Sequence, residues 1–94
     1  MIKSFKNSGT EKLFNREFSK IIPNQLARVA YRKLVQIDAA HDLNDLRVPP
    51  GNRLEALKGD RAGQYSIRIN GQYRICFVWE NNHAQQVEVT DYHS

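Results

Sequence analysis

Three observations predict an α+β fold for this chain of 94 residues. Apolar residues recur at three- and four-residue spacing through residues 11–37, which is typical of helices, but alternate with polar residues through 64–79, which is typical of strands. Between these regions Val48–Asn52 contains two prolines and a glycine and is expected to be a loop. Helices followed by an antiparallel meander form an α+β pattern, and the length predicts one domain over residues 1–94.

The first half is predicted to contain one short strand and two helices. Residues 2–5 alternate long enough for a strand. Thr10 is expected to cap a first helix that ends at Pro23, with a stripe of Leu13, Phe14, Phe18 and Ile21. Asn24 is expected to cap a second helix, whose apolar positions are Leu26, Val29, Ala30, Leu34 and Ile37. Its other side carries Arg28, Arg32 and Lys33, which fit either a solvated helix face or a surface for ribosomal RNA or an acidic protein. A short helical turn is expected at residues 42–46.

The second half is predicted to form four strands, at residues 53–58, 64–69, 72–79 and 85–90, with a turn at 59–63. A two-residue turn at Asn70 and Gly71 would mix apolar and charged side chains on one face. A three-residue loop with a glycine bulge instead places Tyr65, Ile67, Tyr73 and Ile75 against the helices. It places Ser66, Arg68, Gln72 and Arg74 on the opposite face.

Charge and cysteine usage narrow the class of protein. Fourteen Lys and Arg against ten Asp and Glu give a net charge of +4, which suits a polyanionic partner. One cysteine, Cys76, excludes an intrachain disulfide and is expected to be a buried apolar side chain. The sequence has neither a signal peptide nor an apolar run of membrane-spanning length, so we expect a soluble, cytoplasmic protein.

Two groups of residues could carry chemistry. Arg68 and Arg74 on one open sheet face suit a phosphodiester, although without further evidence a solvated surface fits them better. The terminal run Asp91, Tyr92 and His93 adds a carboxylate, a ring for base stacking and a side chain that titrates near neutrality. Cleaving RNA without a metal requires a base, an acid and positive charge, which these residue types supply. No Cys/His pair has ligand spacing and no acidic cluster is present, so neither a metal nor another cofactor is expected.

The longest stretch with a recognisable pattern runs from Asp45 to Phe77. With the terminal Asp91-Tyr92-His93 and the opening Met-Ile-Lys-Ser-Phe, it resembles the HigB toxins of the RelE superfamily. The most specific parts are residues 57–61 (Leu-Lys-Gly-Asp-Arg) and 73–75 (Tyr-Arg-Ile). The resemblance implies a microbial-ribonuclease-like fold in which two N-terminal helices pack on one face of a curved antiparallel sheet.

The resemblance also implies an activity and partners. Such toxins are endoribonucleases that enter the ribosomal A site on the 30S subunit and cut translated mRNA. Their partner is a HigA-type antitoxin with a helix-turn-helix fold, through which the complex contacts operator DNA. No membrane partner is implied.

Site residues follow from the resemblance position by position. Lys58 matches an active-site lysine, Arg74 a phosphate-stabilising arginine, and Asp91, Tyr92 and His93 a catalytic cluster. Glu55 stands where some HigB toxins have a histidine, so it fits either a base or a surface carboxylate. Arg61 and Arg68 are expected to help to bind the substrate.

The resulting hypothesis assigns the proton transfers to Lys58 and His93 and the phosphate charge to Arg74. Two alternatives remain open at this point. One is a module that binds the ribosome and blocks translation without cutting RNA. The other is an inhibitor of DNA gyrase of the ParE type, which shares the superfamily fold.

Overall fold

Two helices precede a four-stranded sheet in the computed structural model, which describes residues 1–91. The helices and strands are α1 (Ser8–Phe14), α2 (Ala27–Ala39), β1 (Glu55–Ala56), β2 (Gln64–Arg68), β3 (Tyr73–Glu80) and β4 (His83–Asp91). Short 3₁₀ turns lie at Asn24–Leu26, Leu43–Arg47, Pro50–Asn52 and Gly59–Arg61. The predicted α+β class is confirmed. Within residues 1–91, none of the helices combines the length and the apolar character needed to cross a bilayer.

Helix α1 is displaced from its predicted position. Asn7 caps it, because the Asn7 side chain accepts a hydrogen bond from the Thr10 backbone N–H at 2.9 Å. The Thr10 hydroxyl instead accepts from the backbone N–H of Val89 at 3.0 Å and ties the helix to β4. The helix ends at Phe14, well before Pro23, and Phe18 is 69% exposed. The predictions that Thr10 caps this helix and that Phe18 belongs to its buried stripe were therefore wrong.

Helix α2 provides most of the helical contribution to the core, as its periodicity predicts. Ala30, Leu34 and Ile37 are fully buried on the side that faces the sheet. Asn24 lies in a 3₁₀ turn and makes no side-chain cap. The same cluster contains residues of the sheet and of the β2–β3 connection, namely Ile67, Ile69, Ile75, Phe77, Ala84, Val87 and Val89.

The sheet is antiparallel in the order β1-β2-β3-β4. Ile67 pairs with Ile75 and Arg68 with Arg74, which is the register predicted from the three-residue loop. The Asn70 side chain closes that loop by accepting from the backbone N–H groups of Gln72 and Tyr73, at 2.9 and 2.7 Å. Gly71 is not left-handed, so the predicted glycine bulge was wrong even though the register was right.

Both edges of the sheet differ from a regular ladder. Residues 1–6 run parallel to β4 through bridges at Ile2 and Phe5, in place of the predicted separate strand. The predicted strand at 53–58 is reduced to Glu55–Ala56. Arg53 has φ 48°, which is incompatible with a strand, and residue 58 already leads into the turn at Gly59–Arg61.

Candidate active site on the polar face of the sheet

The sheet face opposite the helices carries a patch of charged and hydroxyl-bearing side chains, which we call the polar face. Its first row is set by the pairing of Glu55 with Ser66, of Ser66 with Cys76 and of Cys76 with Glu88. The second row consists of Arg68, Arg74 and Thr90. Neighbouring strands place these side chains side by side.

Arg74 is held by several contacts near the centre of the polar face. Its Nε donates to the Ser66 hydroxyl at 2.7 Å, and its Nη2 donates to the backbone carbonyl of Arg53 at 2.7 Å. The Glu55 carboxylate lies 3.9 Å from Nη2. Nη2 also lies 3.4 Å from the Ser66 backbone carbonyl, so neutral oxygens of Ser66 and Arg53 orient the guanidinium, and the Glu55 carboxylate beside it is half exposed.

The polar face is less open than the sequence predicts. Arg74 is only 8% exposed, whereas Arg68 is half-buried. The expectation of two arginines on an open face was wrong for Arg74, because the Ser66 hydroxyl and the 53–55 segment pack around it.

The 57–63 segment folds over the polar face and reaches β4. Arg61 in this segment donates from Nη1 to Glu88 at 2.8 Å and to Gln64 at 3.1 Å, and its Nη2 lies 3.4 Å from the Thr90 hydroxyl. Lys6 lies 3.6 Å from the same Glu88 carboxylate. Arg61 is therefore anchored by the Glu88 carboxylate. It borders the site on this side and also contributes a positive charge.

Lys58 lies near Arg61 at the border of the site. It is exposed and lines a depression of about 330 Å³ together with Glu55, Ala56, Leu57 and Arg61. Glu55 also lies 3.9 Å from Arg74 Nη2, so this carboxylate connects the lining of the depression to the buried guanidinium. The structure thus brings together four of the residues selected from the sequence, namely Glu55, Lys58, Arg61 and Arg74.

The end of β4 approaches this cluster at its other side. Thr90 pairs with Arg74 on the polar face, whereas Asp91 pairs with Tyr73 and so, by strand alternation, lies on the opposite side of the sheet. The Asp91 carboxylate accepts from the Gln72 side chain at 2.8 Å. Tyr92 and His93, both selected from the sequence, lie outside the described residues.

Cys76 lies beneath these groups and is fully buried, as expected. Burial raises the pKa of its thiol, and the nearby Arg61 guanidinium offsets part of that rise. A buried thiol that keeps its proton is a packing group rather than a nucleophile.

Sequence reasoning missed the groups that hold Arg74. Ser66 was placed on the correct face but was given no role, and Arg53 contributes through its main chain, which leaves no sequence signal. Among the described residues, no group of three or more His, Cys, Asp or Glu side chains could hold a metal ion.

Solved structures share the fold of this chain. The chain superposes with a TM-score of 0.62 on a chain of the YoeB–YefM complex from Staphylococcus aureus, at 22% identity, covering 100% of this chain and 99% of that one. A second structure, a heterotetrameric YoeB–YefM toxin–antitoxin complex from the same species, gives a TM-score of 0.61. At this identity the likeness establishes a shared fold, the one seen in these toxin–antitoxin complexes.

Sequence comparison narrows the class to a family. Residues 3–93 match the model of the HigB-like toxins, described as RelE-like toxins of the type II toxin–antitoxin system HigB. Toxin HigB-1 of Vibrio cholerae serotype O1 is 41% identical over 80 residues, covering 84% of both chains. Endoribonuclease HigB of Proteus vulgaris is 36% identical over 93 residues, covering 99% of this chain and all of that one. The chain belongs to the HigB-like family of type II toxins, as the sequence resemblance predicted.

Proposed function

We propose that this toxin is a ribosome-dependent endoribonuclease that cuts translated mRNA in the A site by metal-independent acid–base catalysis. The observation that carries the proposal is the Arg74 guanidinium, buried and oriented by neutral oxygens of Ser66 and Arg53 beside the depression lined by Glu55, Lys58 and Arg61. The name of the Proteus vulgaris relative, an endoribonuclease aligned over almost the whole chain, supports the same reaction class.

The proposed reaction is an attack by the ribose 2′-oxygen on the adjacent phosphorus. A bond forms between the 2′-oxygen and phosphorus, and the bond from phosphorus to the 5′-oxygen breaks. A base accepts the 2′-hydroxyl proton and an acid protonates the departing 5′-oxygen, leaving a 2′,3′-cyclic phosphate or its 3′-phosphate product. The phosphorane between these steps carries extra negative charge.

Arg74 is assigned to that phosphorane. A guanidinium that is already oriented needs no reorganisation when charge develops, and such preorganised donors are worth roughly 10²–10³ in rate. Its low exposure strengthens the interaction because fewer waters screen it.

The proton transfers are assigned to Lys58 and His93. Lys58 is exposed at the depression, where a bound RNA backbone would place a ribose 2′-hydroxyl or the departing 5′-oxygen. Glu55 lines the depression and also lies beside Arg74, and it is either a partner of the base or a counter-ion. Asp91 and Tyr92 are proposed to orient His93 and to stack on a base, with Arg61 and Arg68 binding flanking phosphates.

The ribosome is proposed to supply the alignment that this site lacks. A depression of about 330 Å³ on the surface of the sheet contacts RNA from one side only. In-line attack requires the 2′-oxygen and the leaving oxygen to be held opposite each other, and positioning of this kind contributes a large part of the rate. mRNA that is bent in the A site would meet this requirement. Because the reaction would take place on translating ribosomes, we propose a cytoplasmic location for it.

The partner of a type II toxin is a protein antitoxin, and the structural neighbours are toxin–antitoxin complexes. We propose that this antitoxin is of the HigA type and that it carries the helix-turn-helix contact to operator DNA.

The test of the proposed function is incubation of the purified toxin with programmed ribosomes and with the same mRNA alone, followed by mapping of the RNA ends. Cuts at A-site codons only in the ribosome sample are expected. Equal cutting of naked mRNA would contradict ribosome dependence. Stalled translation with intact mRNA would favour a binding module, and trapped gyrase cleavage complexes in producing cells would favour a gyrase inhibitor.

A further inference from the structure

The acceptors of Arg74 come from two separate parts of the chain. Ser66 lies on β2 beside it, but Arg53 belongs to the turn that follows Pro50–Asn52. We propose that the turn at Asn52 and Arg53 is a positioning device, which holds the Arg74 guanidinium for catalysis through the main-chain carbonyl of Arg53. This inference rests on the proposed function, because it assigns a purpose to the orientation of Arg74.

The backbone of Arg53 supports this assignment. Its φ and ψ are 48° and 55°, the left-handed conformation that residues with a side chain adopt at a cost. In this conformation its carbonyl accepts from Arg74 Nη2 at 2.7 Å, and its N–H donates to the Pro50 carbonyl at 3.1 Å. An energetically unfavourable backbone persists only when the surroundings fix it.

Asn52 fixes the turn from inside the protein. It is fully buried, and its amide donates to Gln36 Oε1 at 2.9 Å and to the Leu46 carbonyl at 3.2 Å. The side-chain oxygen of Asn52, Oδ1, accepts a hydrogen bond from the Lys33 ammonium. Lys33 and Gln36 lie on α2, whose other side is packed into the core.

A continuous set of contacts therefore runs from α2 to the site. It passes from α2 to the Asn52 side chain, along one peptide unit to the Arg53 carbonyl, and on to the Arg74 guanidinium. Arginine has many rotatable bonds, so an orientation this specific is lost unless neighbouring groups hold it. The Ser66 and Arg53 oxygens are neutral, so they orient the guanidinium by hydrogen bonding rather than by charge pairing.

The carbonyl, rather than the Arg53 side chain, is the predicted active element, and two substitutions separate these contributions. Arg53→Gly removes the side chain but accepts the left-handed backbone readily. Arg53→Val removes the same charge and disfavours that backbone, because a β-branched residue is poorly tolerated at positive φ. Arg53→Ala is the milder substitute if the valine variant does not fold.

Three quantities are measured for each variant: the single-turnover rate of mRNA cleavage on saturating programmed ribosomes, the affinity for those ribosomes, and the hydrogen-exchange rate of the Arg74 Nη–H groups by NMR, since Nη2 is the atom that donates to the Arg53 carbonyl. The NMR signal is assigned by its absence in Arg74→Lys. We expect Arg53→Val to lose roughly tenfold more cleavage rate than Arg53→Gly, at equal ribosome affinity, and to show faster exchange at Arg74.

The outcomes separate this inference from the proposed function. Equal rates for the glycine and valine variants, or a slower valine variant with unchanged exchange at Arg74, would overturn the positioning role. If Arg74→Ala retains full cleavage, the catalytic assignment of Arg74 fails, whereas the exchange measurement still reports whether Arg53 holds it.

Discussion

Replacing Asn52 by alanine removes a buried amide that joins α2 to the turn beside the site. Four groups lose a partner: Gln36 Oε1, the Leu46 and Val48 carbonyls, and the Lys33 ammonium. A neutral hydrogen bond contributes about 1 kcal/mol, a bond to a charged group about 1.5 kcal/mol or more, and a buried carbonyl left unpaired costs about 1 kcal/mol. Because these groups belong to one cluster, the loss expected in the free energy of unfolding is about 3 kcal/mol.

Urea unfolding followed by circular dichroism measures this loss, with the slope of the transition unchanged. Asn44→Ala is the matched control, since Asn44 is exposed and bonds only to nearby groups of its own turn, and it should cost less than about 0.5 kcal/mol. A loss below about 1 kcal/mol for Asn52→Ala would refute the argument that this amide organises the turn.

Two further predictions concern the core and the thiol. Leu34→Ala, at a fully buried position of α2, should lower the free energy of unfolding in urea by about 2–5 kcal/mol. Val35→Ala, on the exposed side of the same helix, should lower it by less than about 1 kcal/mol. Similar losses for the two variants would contradict the packing of α2 on the sheet. Because burial raises the pKa of Cys76, the folded protein keeps a proton that the unfolded chain releases, so stability should fall as the pH rises above the ordinary thiol pKa. Cys76→Ala should remove that fall when unfolding is compared at about pH 7 and about pH 10, and an unchanged pH dependence would contradict the burial of the thiol.

The extent of sequence prediction differs between the two helices for a physical reason. Helix α2 was predicted from a long apolar period, which packing against the sheet preserves. Helix α1 is short, and Asn7 and Thr10 are both good caps, so the choice between them depends on the tertiary bond from Val89 to the Thr10 hydroxyl. No local pattern contains that information.

The sequence also predicted part of the site. Strand alternation placed Ser66, Arg68 and Arg74 on one face correctly, because a register error would have exposed the core. The burial of Arg74 was not predictable, since it depends on the carbonyl of Arg53, 21 residues away along the chain. It also depends on the left-handed backbone of Arg53, for which the sequence contains no signal.

The roles of the individual site residues remain predictions, and the one at Arg74 is central to the account. The direct measurement is the single-turnover cleavage rate of ribosome-bound mRNA by Arg74→Ala, with Arg47→Ala as an exposed control of equal charge change and with folding verified by circular dichroism. The account predicts a loss of roughly 10²–10³-fold for Arg74→Ala and a rate close to that of the unmodified toxin for Arg47→Ala. Unchanged cleavage by a folded Arg74→Ala variant, with the same mapped RNA ends, would contradict it.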